Sequence, residues 1–373
     1  MARPCVWDEL VGQRTVAERL RAAVTADAVT HAYLLVGPPG SGKKTAARAL
    51  ACALVCDDGG CGACPTCYRV KKGFHPDVRI VSPEGAAGYL VEQVRDIIHD
   101  AHLAAVEATR KIYIIEAADA FNESAANAFL KTLEEPPDHV VMILLANGYD
   151  AVLPTIASRC QIVRLRRIPP SLAVDVLRER SGASEEDALA ALAASGGVVA
   201  RALDFVRSQS KREARRELLG VLKDLPAMDA ADVLASARRV LEAVRAPLAE
   251  IKERHGAELA ERKEFGGPLA ALEQRQKREM TAREREAVLE VIDMTASWLR
   301  DCLAMAEGTP EVVANRDVSD AMDEVAAVLT AGAAVRALDA VAEARRRISY
   351  NVSPQLAVEA MLFDVREVLS CPR

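Results

Sequence analysis

The chain has 373 residues, a formal net charge of −6, and hydrophobic side chains at 50% of its positions. This length allows two or three domains, each with its own core, and the composition excludes a largely disordered chain. The negative balance argues against a free-standing nucleic-acid binder, though not against a local basic surface within an assembly. Because the apolar segments fall short of the ~20 residues that span a bilayer, and no signal-peptide core begins the chain, we expect a soluble cytoplasmic protein without membrane contact.

A buried strand is predicted at Ala32–Val36, after an amphipathic helix within residues 7–30. The strand leads into a glycine-rich segment, which an alanine-rich helix follows. The segment consists of Gly37, Pro38, Pro39, Gly40, Ser41, Gly42, Lys43, Lys44 and Thr45. This is the context of a phosphate-binding loop, in which backbone N–H groups and a helix N-terminus face the phosphates and the lysine neutralises them.

The final position of this loop departs from the pattern G-x-x-x-x-G-K-[ST]. Lys44 stands where a Ser or Thr would give its hydroxyl to Mg²⁺, and Thr45 comes one residue late. One residue on a helix is a rotation of about 100°, so we expect Thr45 to miss that metal position. The sequence thus predicts a degenerate phosphate loop that disfavours ATP turnover with Mg²⁺, and it leaves open whether nucleotide binds without hydrolysis.

Four of the nine cysteines form a C-x4-C-x2-C-x2-C run in a Gly/Pro-rich loop at residues 56–67. Thiolates at Cys56, Cys61, Cys64 and Cys67 can close a tetrahedral Zn²⁺ site with no open position, which predicts a structural zinc. A chance cluster of thiols is the alternative. Cys52 is the other candidate for the first ligand, but it lies within the predicted helix 47–55, which would direct its side chain elsewhere.

The residues that follow this run permit a different interpretation, a zinc knuckle that reads single-stranded nucleic acid. The side chains available for stacking and for phosphate contact are Tyr68, Arg69, Lys71, Lys72 and Phe74. So few contacts make this hypothesis the weaker one.

A second chemical motif lies at residues 111–137, where the apolar run Ile112–Ile115 predicts a buried strand that ends in Glu116. Asn122 is a good N-cap for the helix that follows. In a P-loop ATPase the acid that ends this strand holds Mg²⁺, and a second acid activates the attacking water. The second position is Ala117, a methyl group that accepts no proton, and Asp119 lies two residues further on. The alternative is that this segment has no catalytic role and is a core strand followed by a surface helix.

Further strands are predicted at Val78–Val81, Val140–Ala146 and Gln161–Leu165, with a helix at Tyr89–His102, so the first domain is a parallel sheet covered on both faces. Asn147 ends one of these strands. Its side chain is placed to contact a γ-phosphate or its attacking water, and a capping or turn role is the alternative.

After Pro169 the apolar spacing is helical throughout. We predict a P-loop domain at residues 1–168, a small helical lid at 169–208 that carries Arg201, and a helical C-terminal domain of bundle type at 209–373. The charged segment 252–286 has nearly balanced signs, which predicts a solvated helical hairpin broken at residues 266–268 and not a DNA-binding patch.

Several segments together resemble the AAA+ subunits of the bacterial replicative clamp loader. They are GPPGSGKK, the four-cysteine run with FHPDV after it, IIEAADAFNESAANAFLKTLEEPP, ILLAN and LPTIASRC. The C-terminal WLRDCLAMAEG and NVSPQLAVEAMLFDV are similar to the collar helices of those proteins, so the likeness spans nearly the whole chain. It implies an α/β plus all-α protein with a P-loop AAA+ domain, a lid and an oligomerisation collar.

Two subunit types of this family share the plan. The gamma/tau motor normally carries G-K-[ST] and an Asp-Glu pair, whereas delta-prime commonly loses them. With Lys44 and Glu116-Ala117, and with its end soon after the collar, this chain is similar to the delta-prime type. The resemblance implies zinc ligation by the four cysteines. It also implies a trans arginine finger at Arg159, and the alternative is that Arg159 is an ordinary surface arginine. The resemblance further implies a second nucleotide sensor at Arg201. Because such a sensor contacts nucleotide bound to its own chain, the departure at Lys44 puts this role in question as well.

The implied function is that of a subunit of the DNA polymerase III holoenzyme, a nucleotidyltransferase, with no ATPase activity of its own. It would assemble with gamma/tau and delta and complete a neighbour's ATP site. The complex would then load the sliding clamp on primer-template DNA. The alternative is a gamma/tau-like ATPase in which Glu116 still holds Mg²⁺ and Asp119 replaces the missing base.

Overall fold

The computed structural model describes residues 5–85, 88–264, 269–349 and 352–370. The chain divides into two compact units, Met1–Leu172 and Ala173–Arg373. The first holds the parallel sheet and the second, where described, is helical, so the predicted class of α/β plus all-α is confirmed. The predicted lid and collar both fall within the second unit, and the boundary between them stays a prediction.

The first unit alternates strands with helices. Its strands are β1 (Ala32–Val36), β2 (Val78–Val81), β3 (Lys111–Ile115), β4 (Val140–Ala146) and β5 (Gln161–Arg164). Its helices are α1 (Arg14–Thr25), α2 (Lys43–Val55), α3 (Pro65–Lys72), α4 (Val91–Ala101), α5 (Glu123–Glu134) and α6 (Pro154–Ala157). The predicted strands are thus confirmed, with β5 ending one residue earlier than expected.

All five strands are parallel, in the order β2-β3-β4-β1-β5. Every residue of β1, β3 and β4 is buried, which explains why these segments are continuously apolar instead of alternating. One sheet face packs on α2 through Leu50, and the other packs on α5 through Phe129. Because parallel strands end at one edge, the residues that follow β1, β3 and β4 meet there, where ligands of such sheets bind.

The second unit consists of helices in its described part. They are α7 (Pro170–Ser181, which begins in the first unit), α8 (Glu185–Ala194), α9 (Val199–Arg207), α10 (Gln209–Asp224), α11 (Ala230–Arg245), α12 (Leu248–Glu264), α13 (Ala270–Ala306), α14 (Ser319–Ala326), α15 (Ala331–Ser349) and α16 (Pro354–Ser370). The predicted charged hairpin corresponds to α12 and α13, and its predicted break at 266–268 lies outside the described residues.

Within the described ranges, no single helix is both long and apolar enough to cross a membrane. Two sharply bent helix pairs reach that length and apolar content only when their halves are joined, Glu185–Ala194 with Val199–Arg207 and Arg316–Ala326 with Ala331–Ile348.

Candidate functional site

The phosphate loop begins directly after β1 and ends at the first residue of α2. A Cβ atom added to Gly37 would lie 2.6 Å from the carbonyl oxygen of Leu165 and 2.7 Å from the hydroxyl of Ser41, so only glycine fits this approach. Gly42 caps α2 with a left-handed backbone, φ +88°. The glycines therefore give the loop the backbone path that a phosphate-binding loop needs.

Lys43, the phosphate-loop lysine, is bound to the loop itself. Its Nζ donates to the carbonyl oxygens of Gly37 and Pro38, the latter at 3.0 Å, and to Oδ1 of Asn147 at 3.3 Å. Asn147 in turn donates from Nδ2 to Oδ2 of Asp119 at 3.2 Å. Burial lowers the pKa of Lys43, and the nearby Asp119 carboxylate partly opposes this shift. The predicted site residue Asn147 thus links Lys43 to Asp119, which lies after the end of β3.

Lys44 forms a salt bridge with Glu116, the acid that ends β3. Its Nζ lies 2.8 Å from Oε1 of Glu116, and the hydroxyl of Ser82 donates to Oε2 at 3.0 Å. The next residue, Ala117, has a left-handed backbone with φ +49° and begins the 3₁₀ turn Ala118–Ala120. Both oxygens of the predicted metal-binding carboxylate are therefore engaged, and the residue beside it offers no base.

Thr45 and Arg201 lie in other surroundings. Thr45 lines a small cavity with Val6 and Glu9, on the side of α2 that faces the N-terminal segment. This agrees with the expectation that a hydroxyl one residue late misses the metal position. Arg201 lies in the first turn of α9 and pairs with two acids of α13, Glu286 at 3.3 Å and Asp293 at 4.0 Å.

The four cysteines of the predicted metal site come together. Their sulfur atoms all lie within 4.8 Å of one another, with 3.9 Å from Cys56 to Cys61 and 3.7 Å from Cys56 to Cys64. Four Zn–S bonds of about 2.3 Å in a tetrahedron require sulfur atoms about 3.8 Å apart. Backbone N–H groups of Ala63 and Cys64 lower the pKa of the Cys61 thiol to about 7, which favours the thiolate. The donor set fits a structural Zn²⁺.

A helix supports this cluster, where the sequence predicted only a loop. The sulfur of Cys64 accepts from the backbone N–H of Cys67 and caps α3, whose first residue is Pro65. Proline is favoured at that position because its missing N–H would have no partner there. The loop prediction, which covered residues 56–67, was therefore wrong for residues 65–67.

Cys52 lies outside the cluster. It is fully buried on α2, and its sulfur contacts the carbonyl oxygen of Cys67 at 3.8 Å. Burial raises the pKa of the Cys52 thiol to about 11, but this shift alone does not identify the first ligand. The positions of the sulfur atoms do, and they favour Cys56 as the first ligand.

The side chains considered for nucleic-acid contact are divided by the structure. Phe74 and Tyr68 are exposed, and the ammonium of Lys72 lies 5.9 Å from the Tyr68 ring centre. The other two cations are paired with acids of the chain: Arg69 binds Glu107 through two hydrogen bonds, and Lys71 binds Glu9. These pairs reduce the positive charge that the segment offers to phosphates.

Arg159, the predicted trans arginine finger, follows α6 and is partly exposed. Its Nε donates to Oε1 of Glu134 at 2.8 Å, and its Nη1 donates to the carbonyl oxygen of Thr155 at 2.9 Å. Glu134 is the last residue of α5, so two elements hold the guanidinium. No sequence pattern had indicated a role for Glu134.

Two other residues that contact Glu116, Ser82 and Tyr89, were not predicted from the sequence. Ser82 follows β2, and its place beside Glu116 was recoverable from the rule that parallel strands end at one edge. The hydroxyl of Tyr89 donates to the carbonyl oxygen of Glu116 at 2.5 Å and to that of Val81 at 3.0 Å. No local sequence pattern predicted these two hydrogen bonds of Tyr89.

Comparisons with known proteins agree with these features. A family model described as DNA polymerase III, delta subunit, matches residues 12–169. The delta' subunit of DNA polymerase III from Pseudomonas aeruginosa is 36% identical over 212 residues, which cover 55% of this chain and 64% of that relative. The gamma/tau subunit from Mycobacterium tuberculosis is 33% identical over 202 residues, which cover 52% of this chain and 35% of that relative.

The chain thus spans less than two thirds of the length of these curated relatives. A solved structure of a DNA polymerase III gamma subunit-related protein from Thermotoga maritima aligns with 94% of this chain and 99% of its own, at 20% identity and a TM-score of 0.46. Residues 12–169 thus match the DNA polymerase III delta-subunit family model, and the chain is similar in sequence to delta' and gamma/tau subunits.

Proposed function

We propose that this chain is a clamp-loader subunit of the delta' type that hydrolyses no ATP in its own site. It assembles in the cytoplasm with gamma/tau and delta through its C-terminal helices. Its Arg159 completes the ATP site of a neighbouring subunit, and the assembly loads the sliding clamp on primer-template DNA. The chain is thereby a part of the polymerase holoenzyme and not an ATPase itself.

The observation that carries this proposal is the pairing of Lys44 with Glu116 beside Ala117. Hydrolysis needs a metal on the acid at the end of β3 and a base to orient water. Here an ammonium lies 2.8 Å from that acid, and the adjacent side chain is a methyl group. The phosphate loop retains its glycines and Lys43, so the loop keeps its fold although the groups that hydrolysis needs are missing.

The role of Arg159 is supported by its partial exposure and its fixed orientation. A guanidinium that two elements hold at the surface can reach an adjoining subunit with little loss of side-chain freedom. In such a site it would stabilise the negative charge that develops on a transferring phosphoryl group. Fingers of this kind contribute roughly 10³–10⁵ in rate at the site they serve.

Cys56, Cys61, Cys64 and Cys67 would hold a structural Zn²⁺ in this subunit. The backbone N–H of Val6 donates to the carbonyl oxygen of Gly60 at 3.1 Å, and Lys71 donates to that of Gly62 at 3.0 Å. The metal, when bound, therefore orders a loop that is tied to the N-terminal segment and to α3. It supplies stability and takes no part in phosphate chemistry.

The test is reconstitution with gamma/tau and delta, comparing the wild type with Arg159→Ala in DNA-stimulated ATP hydrolysis and clamp loading. We expect the variant to assemble normally and to lose the hydrolysis that depends on this finger. Arg167→Ala is the control, since Arg167 is an exposed arginine of the same region. Unchanged hydrolysis and loading in Arg159→Ala would show that the residue has no role in trans.

A second candidate, a working ATPase of the gamma/tau type, has one observation in its favour. Oδ1 of Asp119 is buried and has no hydrogen-bond partner in the described part of the chain, and its other oxygen binds Asn147 next to Lys43. A buried carboxylate near the loop lysine is a candidate base. Radiolabelled ATP turnover by the isolated chain that disappears in Lys43→Ala and in Asp119→Asn would establish this alternative.

A further inference from the structure

The salt bridge between Lys44 and Glu116 has a consequence for metal binding. In a P-loop site Mg²⁺ takes one oxygen from the loop hydroxyl and is served by the acid that ends the neighbouring strand. Mg²⁺ requires nearly octahedral oxygen ligands at about 2.0–2.1 Å. Lys44 supplies no oxygen, and its ammonium lies 2.8 Å from Oε1 of Glu116, on the oxygen that a metal would need. The residues present therefore do not fit Mg²⁺.

The other oxygen of Glu116 is engaged as well. It accepts from the hydroxyl of Ser82 at 3.0 Å, while the backbone N–H of Glu116 donates to the carbonyl oxygen of Val81 at 2.8 Å. The side chain of Glu116 is 18% exposed, so solvent screens its pairing less than it screens a surface pair. A divalent cation at Glu116 would have to displace the ammonium of Lys44 and would then lie close to both Lys43 and Lys44.

We propose that Lys44 is a built-in replacement for Mg²⁺, so that the phosphate loop holds a nucleoside polyphosphate without a divalent metal. This inference rests on the proposed absence of hydrolysis in the chain's own site and states its physical cause. The lysine ammonium has three donors. One is used on Glu116, and the others can bind a phosphate oxygen on the solvent side, where the Lys44 side chain is 62% exposed.

The experiment measures the affinity of the full chain for fluorescently labelled ATP in the presence of MgCl₂ and in the presence of EDTA. We expect the wild-type Kd to differ by less than about twofold between the two conditions, and Lys44→Thr to bind at least about tenfold more tightly with Mg²⁺. Lys44→Ala removes the ammonium without adding a hydroxyl and should show a smaller dependence on Mg²⁺. Lys223→Thr makes the same charge change at an exposed position of α10 and should behave as the wild type.

If the wild type binds too weakly to measure in either condition, the proposal is overturned, because the loop then holds no nucleoside polyphosphate. Tighter wild-type binding with Mg²⁺ than with EDTA, or a Lys44→Thr variant without Mg²⁺ dependence, overturns it. These outcomes are separate from the proposed function: a wild-type chain that binds ATP more tightly with Mg²⁺ than with EDTA but does not hydrolyse it would refute the role of Lys44 and leave the trans role of Arg159 untouched.

Discussion

Glu134 holds Arg159 at the surface of the first unit. The Nε of Arg159 donates to Oε1 of Glu134 at 2.8 Å, and a second guanidinium nitrogen binds the same oxygen. On the other side, Nη1 donates to the carbonyl oxygen of Thr155 at 2.9 Å and to the hydroxyl of Ser158 at 3.2 Å. The orientation of the guanidinium is therefore set by its own chain before any neighbour is present.

This relationship predicts that Glu134→Gln reduces the hydrolysis that Arg159 supports in the reconstituted complex. The amide keeps the size of the side chain but loses the carboxylate charge, so the ion pair is lost and the guanidinium is less well oriented. We expect a loss of roughly tenfold in kcat with little change in KM, less than that of Arg159→Ala. Glu135→Gln, at the exposed neighbouring residue, is the matched control. Equal rates for the two glutamine variants would rule out a positioning role for Glu134.

Zinc content provides a second prediction. The purified chain should carry about one Zn²⁺, and Cys56→Ser or Cys61→Ser should lower this content and the melting temperature, because a structural metal contributes directly to folding. Elemental analysis and thermal unfolding would measure both. Cys52→Ala should keep the full metal content, since the Cys52 sulfur lies outside the cluster. Loss of zinc from Cys52→Ala and not from Cys56→Ser would reverse the assignment of the first ligand.

A third prediction concerns Asp77, which is buried and accepts from the backbone N–H groups of Val106, Glu107 and Ala108 at 2.6–2.8 Å. Burial alone would raise the pKa of this carboxyl, but these three hydrogen bonds outweigh it and lower the pKa below its ordinary value of 3.8. Asp77→Asn should destabilise the first unit by about 2 kcal/mol at pH 7.

The lowered pKa determines the pH dependence of this effect. The contribution of Asp77 is complete above the unfolded-state value near 3.8 and is lost as pH falls through the lower folded-state pKa. The difference between the wild type and Asp77→Asn should thus be constant from neutral pH to about pH 5 and shrink below pH 3.8. Urea unfolding followed through Trp7, in a Trp298→Phe background, reports on the first unit. A difference that grows in acid would contradict the assignment.

The second unit contains a buried ionic network that supports a fourth prediction. Arg215 donates to both oxygens of Asp317, at 2.5 and 2.8 Å, and to Oδ1 of Asn315 at 2.8 Å. Asn315 donates in turn to Asp301 at 2.7 Å. Arg215→Ala leaves these acceptors without their cation and should destabilise this unit by about 3 kcal/mol.

The fluorescence of Trp298, which is fully buried in the second unit, is suited to measuring this change in a Trp7→Phe background. Arg216→Ala is the control, because Arg216 is the next residue on α10 and is exposed. Similar unfolding midpoints for the two variants would mean that the network contributes no net stability.

Much of the first unit was predictable because its central strands are buried on both faces. Such strands appear as continuous apolar runs, so β1 and β4 were placed to the residue and β3 to within one. The spacing of the four cysteines identified a set that the structure brings together, since ligands close in sequence need little help from the fold. The helix α3 was missed because a cysteine sulfur, an unusual cap, begins it.

By itself the sequence determined the parallel α/β unit, the cysteine cluster and the loss of the loop hydroxyl and the second acid, since each is a local pattern of residues. Only the tertiary structure decided that Lys44 reaches Glu116, that Asn147 lies between Lys43 and Asp119, and that Glu134 holds Arg159. The partners in these contacts lie between 25 and 104 residues apart, and the fold brings them together. Spacing along the chain carries no information about such contacts, because β4 is inserted between β1 and β3 by the packing of the whole sheet.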